Sequence, residues 1–329
     1  MNMNKWLEDL KQTEKKLSMP VLSFPGIQLT GASVLDVVKN GESQAACMTA
    51  IARRYNTLAA VSNMDLSVEA EAFGATAAFY EDEVPSITGH IIEDGADAAA
   101  LKVPPVGAGR TGEYVRAIEI ASTKINDRPI FAGVIGPFSL AGRLTEMTEI
   151  MYLAVDEPEA VHELLAKATA FLIDYIRAFK NAGANGIVMA EPAAGLLSPD
   201  WNSEFSADYV RQIVEAVQDD EFIVIYHNCG TVIPLMSDII STGAKALHFG
   251  NTTDMAEAIN LIPEDILVMG NIDPVAEITH GDDQSIQEAV TELEQKMAGR
   301  KNFVLSTGCD IPPHAPVANL DAFFAAASR

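Results

Sequence analysis

Cysteine is scarce in this chain, with three among 329 residues, at positions 47, 229 and 309. So few and so scattered, they exclude a disulfide framework and suit a reducing cytoplasm in which thiols stay free. Positive charge is scarce too. Lys and Arg total 22 against 46 Asp and Glu, a formal net charge of −24, which argues against a nucleic-acid backbone or an anionic membrane surface as partner. No apolar signal core opens the chain; MNMNKWLEDLKQTEKKL reads as an amphipathic helix. The stretch nearest to a membrane span, FIVIYHNCGTVIPLMSDII, carries His227, Asn228 and Asp238 with Pro234 inside it, and makes a poor one. No G-x-G-x-x-G loop follows the first β-rich run and no H-E-x-x-H is present, so the dinucleotide fingerprint and the zinc-protease helix are both missing.

What is present is a globular composition, 48% hydrophobic and 21% charged, long enough to bury a substantial core in one large α/β domain or two ordinary ones. Short β-rich runs fall at 20–26, 58–64, 130–136, 186–191, 222–227, 246–251, 266–271 and 303–308. Helix-like segments alternate with them at 43–56, 113–126, 139–153, 158–182, 203–218, 232–242, 254–261, 283–299 and 318–328. Asp156 with Pro158, and Ser198 with Pro199, are helix starts with a chemical reason. Eight βα units predict one α/β domain over 1–329, a closed (β/α)8 TIM-type barrel; a doubly wound open sheet is the competing arrangement, weakened by the missing glycine loop. Residues 65–128 break the alternation. They read as an insertion after the second strand, with a small helix, a hairpin and a lid-like Pro/Gly-rich loop at 101–112; a linker between domains is the alternative.

Chemistry in such a barrel collects at the C-terminal ends of the strands. There stand Asp65, Glu191, His227, Cys229, His248, Asn251, Asn271, Asp273, Cys309 and Asp310. His227 and Cys229 are two residues apart in YHNCG, and Cys309 follows in STGCD, each in a glycine-containing turn after an apolar run. Alternate residues at one strand end can turn toward one ion, with a second strand end supplying a third ligand, which leaves a tetrahedral zinc with one open, catalytic position. The bland alternative is a chance His-x-Cys and ordinary core thiols. Glu191 is then a fourth ligand displaced by substrate, a group that orients His227, or a polar wall residue. Arg143 is a candidate partner for an anionic group on a substrate, against an ordinary surface ion pair. His314 lies close enough in sequence to Cys309 to touch substrate, against a loop surface role. Cys47 reads as core, and neither His90 nor His162 receives a role.

The motifs SNMDLSVEAEAFG, GVIGPFSLAGRL, EPAAGLLSP, IYHNCG, GNIDP and GCDIPPHAPVANL, in this order, resemble the uroporphyrinogen decarboxylase superfamily from about residue 58 onward. More narrowly they look like its zinc methyltransferase branch, the methylcobamide:coenzyme M methyltransferases, whose His-x-Cys and distant Cys are filled by His227, Cys229 and Cys309. The resemblance implies a single (β/α)8 barrel with Zn2+, and a methylcobamide delivered on a corrinoid carrier protein. It also implies a small thiol substrate such as coenzyme M. Asn271 and Asp273 in GNIDP, with His314 and Arg143, are its candidate binding residues. Asp65 matches the decarboxylases' catalytic aspartate. The decarboxylase reading itself is disfavoured, because PVLSFPGIQLTGASVLDVV has no arginine to hold a polycarboxylate and Cys309 stands where those enzymes carry histidine.

The implied reaction needs no hydride, phosphate or general acid. A small thiol on zinc is deprotonated at neutral pH and takes the methyl group of a methyl-Co(III) corrinoid, Co(I) leaving. Two cysteinate ligands keep such a centre electron-rich. Donor-side transfer from a methyl ether, methylamine or methyl halide onto a corrinoid protein is the alternative. A decarboxylase-like enzyme or a non-catalytic corrinoid- or thiol-binding barrel stands behind both.

Overall fold

The computed structural model describes every residue except Lys15 and Arg329. Seven parallel strands form one curled sheet: β1 (Ala60–Val61), β4 (Ile130–Ile135), β5 (Gly186–Ala190), β6 (Ile223–Asn228), β7 (Ala246–Phe249), β8 (Leu267–Ile272) and β9 (Phe303–Thr307), neighbours in that order. Two further strands, β2 (Thr76–Ala78) and β3 (Ser86–Thr88), make a separate antiparallel hairpin. Six of the seven are four residues or longer and almost wholly buried, as expected of parallel strands with both faces covered.

The first expected strand, 20–26, is absent as a regular element. Pro20 and Pro25 have no N–H to give a ladder, and residues 24–30 wind into a 3-10 turn and a short helix instead. The preceding residues still bond at both edges of the sheet. Leu58 N–H donates to Ser18 O (2.9 Å) on one side, and Met19 N–H donates to Leu305 O (2.9 Å) on the other. The expected helix at 139–153 is two helices, Pro137–Thr145 and Met147–Asp156, broken at Glu146, whose φ of 80° lies in the left-handed region. The longest helix, Pro158–Asn181, starts with proline at its first position and buries Val161, Leu164, Leu165, Ala168, Phe171 and Leu172 along one stripe.

Period-2 alternation sorts the strand residues. Val61, Phe131, Val188, Ile223, Ile225, Leu267, Met269 and Val304 share one inner cluster, closed from below by Met3, Leu7 and Leu10 of the amphipathic helix Met3–Gln12. Continuing the same alternation upward, the next inner positions are Ala190, His227, His248 and Ser306. The core thus ends in a polar layer at the C-terminal ends of the strands. A cleft of about 490 Å³ lies elsewhere, between residues 11–14 with Lys16 on one side and residues of 294–305 on the other, and contains none of the candidate ligands. Among the described residues no helix is long and apolar enough to cross a membrane.

The 65–128 segment holds helix Val68–Ala72, the β2–β3 hairpin, helix Gly95–Ala100, an irregular stretch and helix Thr111–Lys124. That last helix packs on Gly41–Arg54, where Gly41 lies against the backbone of Glu113 and Ala117 and has no room for a Cβ. Cys47 is fully buried there, as expected of a core thiol.

Candidate active site

His227, Cys229 and Cys309 line one cavity of about 120 Å³, walled by Val21, Met64, Leu66, Val188, Ala190 and Pro192, with Asp310 beside them. His227 is buried, Cys229 is half-buried and Cys309 is exposed at the mouth. Burial lowers the imidazole of His227 to about 4, so it is neutral at pH 7, the form in which a histidine ligates metal. Burial raises the thiol of Cys229. Although Cys309 as a residue is exposed, its sulfur faces the cavity, and its thiol is pushed up to about 11, first by that desolvation, then by Asp310, and also by Cys229. Without a cation both therefore stay protonated at neutral pH. The donor types fit zinc, which supplies the positive charge that would release both thiol protons. The side chains share the cavity without yet converging; among the described residues no three His, Cys, Asp or Glu side chains stand close enough to hold an ion as they are.

Close backbone approach sets the position of Cys229. Gly195 lies against its carbonyl oxygen, and a Cβ on Gly250 would stand 2.8 Å from Cys229 Cβ. Gly250 N–H also donates to Asn228 O (3.0 Å). Gly250→Ala is therefore expected to displace Cys229 and weaken zinc binding by at least about 10-fold, the range in which disturbing a ligand's support falls. Metal competition with a chromogenic chelator measures it.

Asn271 and Asp273 hold the turn behind this position. Asn271 Nδ2 donates to Gly250 O (2.9 Å) and Thr253 O (2.7 Å). Asp273 accepts from Asn251 Nδ2 (2.6 Å) and caps the turn Pro274–Thr279 through the N–H groups of Val275 and Ala276. His314 sits away from the cavity, exposed, with Nε2 3.2 Å from Asp82 O in the hairpin loop. Arg143 is exposed and lines a second hollow of about 390 Å³, bordered by Ile87, Glu146, Met147 and Leu196, that shares Pro192 with the first.

Glu191 is fully buried, and its carboxylate accepts from Phe138 N–H (3.1 Å) and Ser139 N–H (2.5 Å) at the start of helix Pro137–Thr145. Burial raises it to about 7, against the lowering effect of those bonds. Its backbone N–H reaches His227 O, but the ring of His227 is oriented by another residue, His248, whose Nδ1 lies 2.7 Å from His227 Nδ1.

Asp65 lies outside the cavity lining, in a buried network. Its Oδ2 accepts from Arg110 Nη1 (2.5 Å) and Tyr114 OH (2.9 Å), and Oδ1 accepts from Ser67 Oγ (2.6 Å). Arg110 also donates to Glu71 Oε2 (2.6 Å), Ser67 Oγ (2.7 Å) and Val38 O (3.2 Å), so the C-terminal end of the 101–112 loop is fastened rather than free.

Beside this network Glu69 accepts from Ile135 N–H (3.0 Å) through Oε1, and its buried Oε2 has no hydrogen-bond partner among the described residues. Burial dominates, raising its carboxyl from 4.5 to about 7. The native state holds a proton there that the unfolded chain gives up, so this contribution to stability is complete below about pH 4.5 and is lost as pH rises through about 7. Glu69→Gln is expected to remove a pH-dependent loss of about 3 kcal/mol across that window. Urea unfolding at about pH 5 and about pH 8 reads it. Glu191 adds a loss of the same sign, which this variant leaves in place.

Residues 21–329 match the family model described as uroporphyrinogen decarboxylase (URO-D). The chain belongs to the uroporphyrinogen decarboxylase family. Within the family, the methylcobamide:CoM methyltransferase MtbA of Methanosarcina acetivorans is 29% identical over 260 residues, 78% of this chain and 75% of that protein. Uroporphyrinogen decarboxylase 2, chloroplastic, of Arabidopsis thaliana is 31% identical over 248 residues, 72% of this chain and 61% of that one. A solved methyltransferase from Methanosarcina mazei superposes with a TM-score of 0.87 over 98% of this chain and 97% of its own, at 26% identity. These likenesses bear out the resemblance carried by the sequence motifs, both to the family and to its methyltransferases.

His248 and Ser306, hydrogen-bonded in line behind His227, carry no role in the sequence pattern. Their signal is positional. His248 sits opposite His227 in the β6–β7 register, and Ser306 is the next inner position after Val304.

Proposed function

We propose that this chain is a zinc-dependent methyltransferase that moves the methyl group of a methylated corrinoid, carried on a separate protein, to a small thiol such as coenzyme M. The observation that carries the reading is the shared cavity of His227, Cys229 and Cys309 at the C-terminal end of the sheet. The methylcobamide:CoM methyltransferases among its relatives support it. Zinc held by these three residues would lower the pKa of a thiol bound beside it, making a thiolate available at neutral pH. His227 supplies a neutral nitrogen, and the two cysteines supply two negative charges that offset the ion's own. The apolar walls exclude water, which keeps the sulfur nucleophile unsolvated. In the transfer a carbon–sulfur bond forms, the cobalt–carbon bond breaks, and its electron pair stays on cobalt as Co(III) becomes Co(I).

A cavity of about 120 Å³ takes a short thiol and not a corrin. The corrinoid therefore approaches from the mouth, where Cys309 is exposed. In this reading the sheet is a closed eight-position barrel with residues 18–21 in the eighth place, and 65–128 is an insertion beside the mouth. Arg143, without an ion-pair partner among the described residues, takes the anionic end of the thiol from the adjoining hollow. Asn271 and Asp273 shape the Cys229 turn, His314 anchors the hairpin loop, and Glu191 braces the wall from helix Pro137–Thr145. The enclosure of Asp65 by Arg110 and Tyr114 weighs against a decarboxylase in which that aspartate meets substrate.

Purified protein loaded with zinc is expected to demethylate methylcobalamin in the presence of coenzyme M, read by the absorbance change of the corrinoid. Turnover with homocysteine and not with coenzyme M would reassign the acceptor. Turnover with neither, together with methylation of Co(I) corrinoid by a methylamine or methyl ether, would replace this reading by the donor-side one.

A further inference from the structure

A line of hydrogen bonds runs from His227 on β6 through β7 to the β9 edge of the sheet. His227 Nδ1 is 2.7 Å from His248 Nδ1, His248 Nε2 is 2.9 Å from Ser306 Oγ, and Ser306 Oγ is 2.7 Å from Met19 O. All three side chains are buried, with exposures of 5%, 1% and 0%. The proton positions follow from counting. Met19 O is a carbonyl and can only accept, so the single hydroxyl proton of Ser306 points to it. Ser306 Oγ must then accept from His248 Nε2–H. The ring nitrogens of His248 lie against an imidazole and a hydroxyl, with the Thr307 backbone beside the ring and no carboxylate among its partners, so it is a neutral ring whose one proton is on Nε2 and whose Nδ1 carries a lone pair. His227 therefore donates Nδ1–H across the 2.7 Å contact, and its own lone pair is on Nε2.

We infer that His248 and Ser306 are positioning residues that fix His227 as the Nδ1–H tautomer and so present Nε2 as its metal-binding nitrogen. The assignment of the tautomer stands on the hydrogen bonds alone; the metal half rests on the zinc reading above. Neither residue touches the cavity that holds Cys229 and Cys309. The relay ends on a backbone carbonyl, which cannot reverse its role, so the direction of every proton in the line is set from that end. Ligating histidines in general have their second nitrogen held in this way, and loss of the holding partner typically weakens metal binding by about 10–100-fold. Here the holder is a second histidine rather than a carboxylate, which keeps the line neutral.

The test reads tautomer and metal separately. Long-range proton–nitrogen NMR of the metal-free, histidine-labelled protein is expected to show His227 as Nδ1–H. Titration with Zn2+ alone against a competing chelator is expected to show about 10–100-fold weaker binding in His248→Phe and Ser306→Ala, with most of it restored in His248→Asn, whose amide oxygen overlays the Nδ1 position of the histidine and can accept from His227 Nδ1–H. Ser306→Ala leaves both rings in place and covers the case in which His248→Phe fails to fold. In Ser306→Ala, His227 is expected to become a mixture of tautomers. A merely structural relay would lower the melting temperature and leave the tautomer of His227 unchanged. His227 found as Nε2–H in the wild type, or zinc affinity within about twofold of wild type in both variants, overturns the inference. Wild-type protein that shows the Nδ1–H tautomer but binds no zinc overturns the metal reading while upholding the tautomer.

Discussion

Cys309→Ser is expected to weaken zinc binding by more than about 100-fold, beyond the loss of a merely supporting partner, and to abolish methyl transfer. A serine hydroxyl stays neutral at pH 7 and offers zinc a hard, weak donor where a thiolate stood. Cys309 is exposed at the mouth, so the fold loses little: stability should stay within about 0.5 kcal/mol of wild type. This separation between function and stability is the diagnostic. Cys47→Ser is the control with the opposite profile. Its thiol is fully buried and packed against Gly26, with Thr30 Oγ1 (3.4 Å) as its one hydrogen-bond partner among the described residues, so the shorter, more polar serine should destabilise the protein while zinc binding and turnover of the folded fraction persist. Zinc content after dialysis, with chemical denaturation on the same samples, decides it; a Cys309→Ser protein that retains stoichiometric zinc contradicts the ligand assignment.

Arg110→Ala is expected to destabilise the fold by about 3–5 kcal/mol. Removing the guanidinium leaves the carboxylate of Asp65, fully buried, and that of Glu71, largely buried, without their counter-ion. Tyr114 OH and Ser67 Oγ still reach Asp65, but neither carries charge. The effect comes from the stranded carboxylates rather than from the value of the pair, so the triple change Arg110→Met, Asp65→Asn, Glu71→Gln should recover most of the loss. Denaturant midpoints at neutral pH test both. A loss below about 1 kcal/mol in Arg110→Ala would mean that water reaches the network and Asp65 is free for chemistry after all.

Much of the fold is legible in the sequence because a parallel strand buried on both faces leaves a nearly continuous apolar run. IFAGVI, GIVMA and FVLST are such runs, and each is a strand. The run at 20–26 misleads for a stated reason. Its composition is apolar, but two prolines remove donors the ladder needs, and the chain satisfies both sheet edges with a few backbone bonds from residues 18 and 19 instead. The single helix expected over 139–153 misleads because nothing in LTEM announces that Glu146 adopts a positive φ.

The site divides the same way. His227, Cys229 and Cys309 are legible because the two-residue spacing and the strand-end turns are local, and the structure brings all three to one cavity. The relay behind them is not local. His248 meets His227 only through the β6–β7 register, and Ser306 joins because β9 has its own inner positions and residue 19 crosses beside it. Asp65 is visible as a strand-end acid, but its partner Arg110 is 45 positions away in a glycine-rich loop with no periodicity to place it. Glu191 reads as a ligand candidate from topology, while its carboxylate spends both oxygens on the backbone of the neighbouring helix start.

Zinc X-ray absorption on the purified protein, with and without coenzyme M, tests whether a catalytic zinc here accepts a thiol. Stoichiometric zinc bound by two sulfurs and one histidine nitrogen with a further exchangeable light atom is expected, and a third sulfur in place of that atom once coenzyme M is added. Protein that takes up no zinc, or a zinc shell that coenzyme M leaves unchanged, would contradict it.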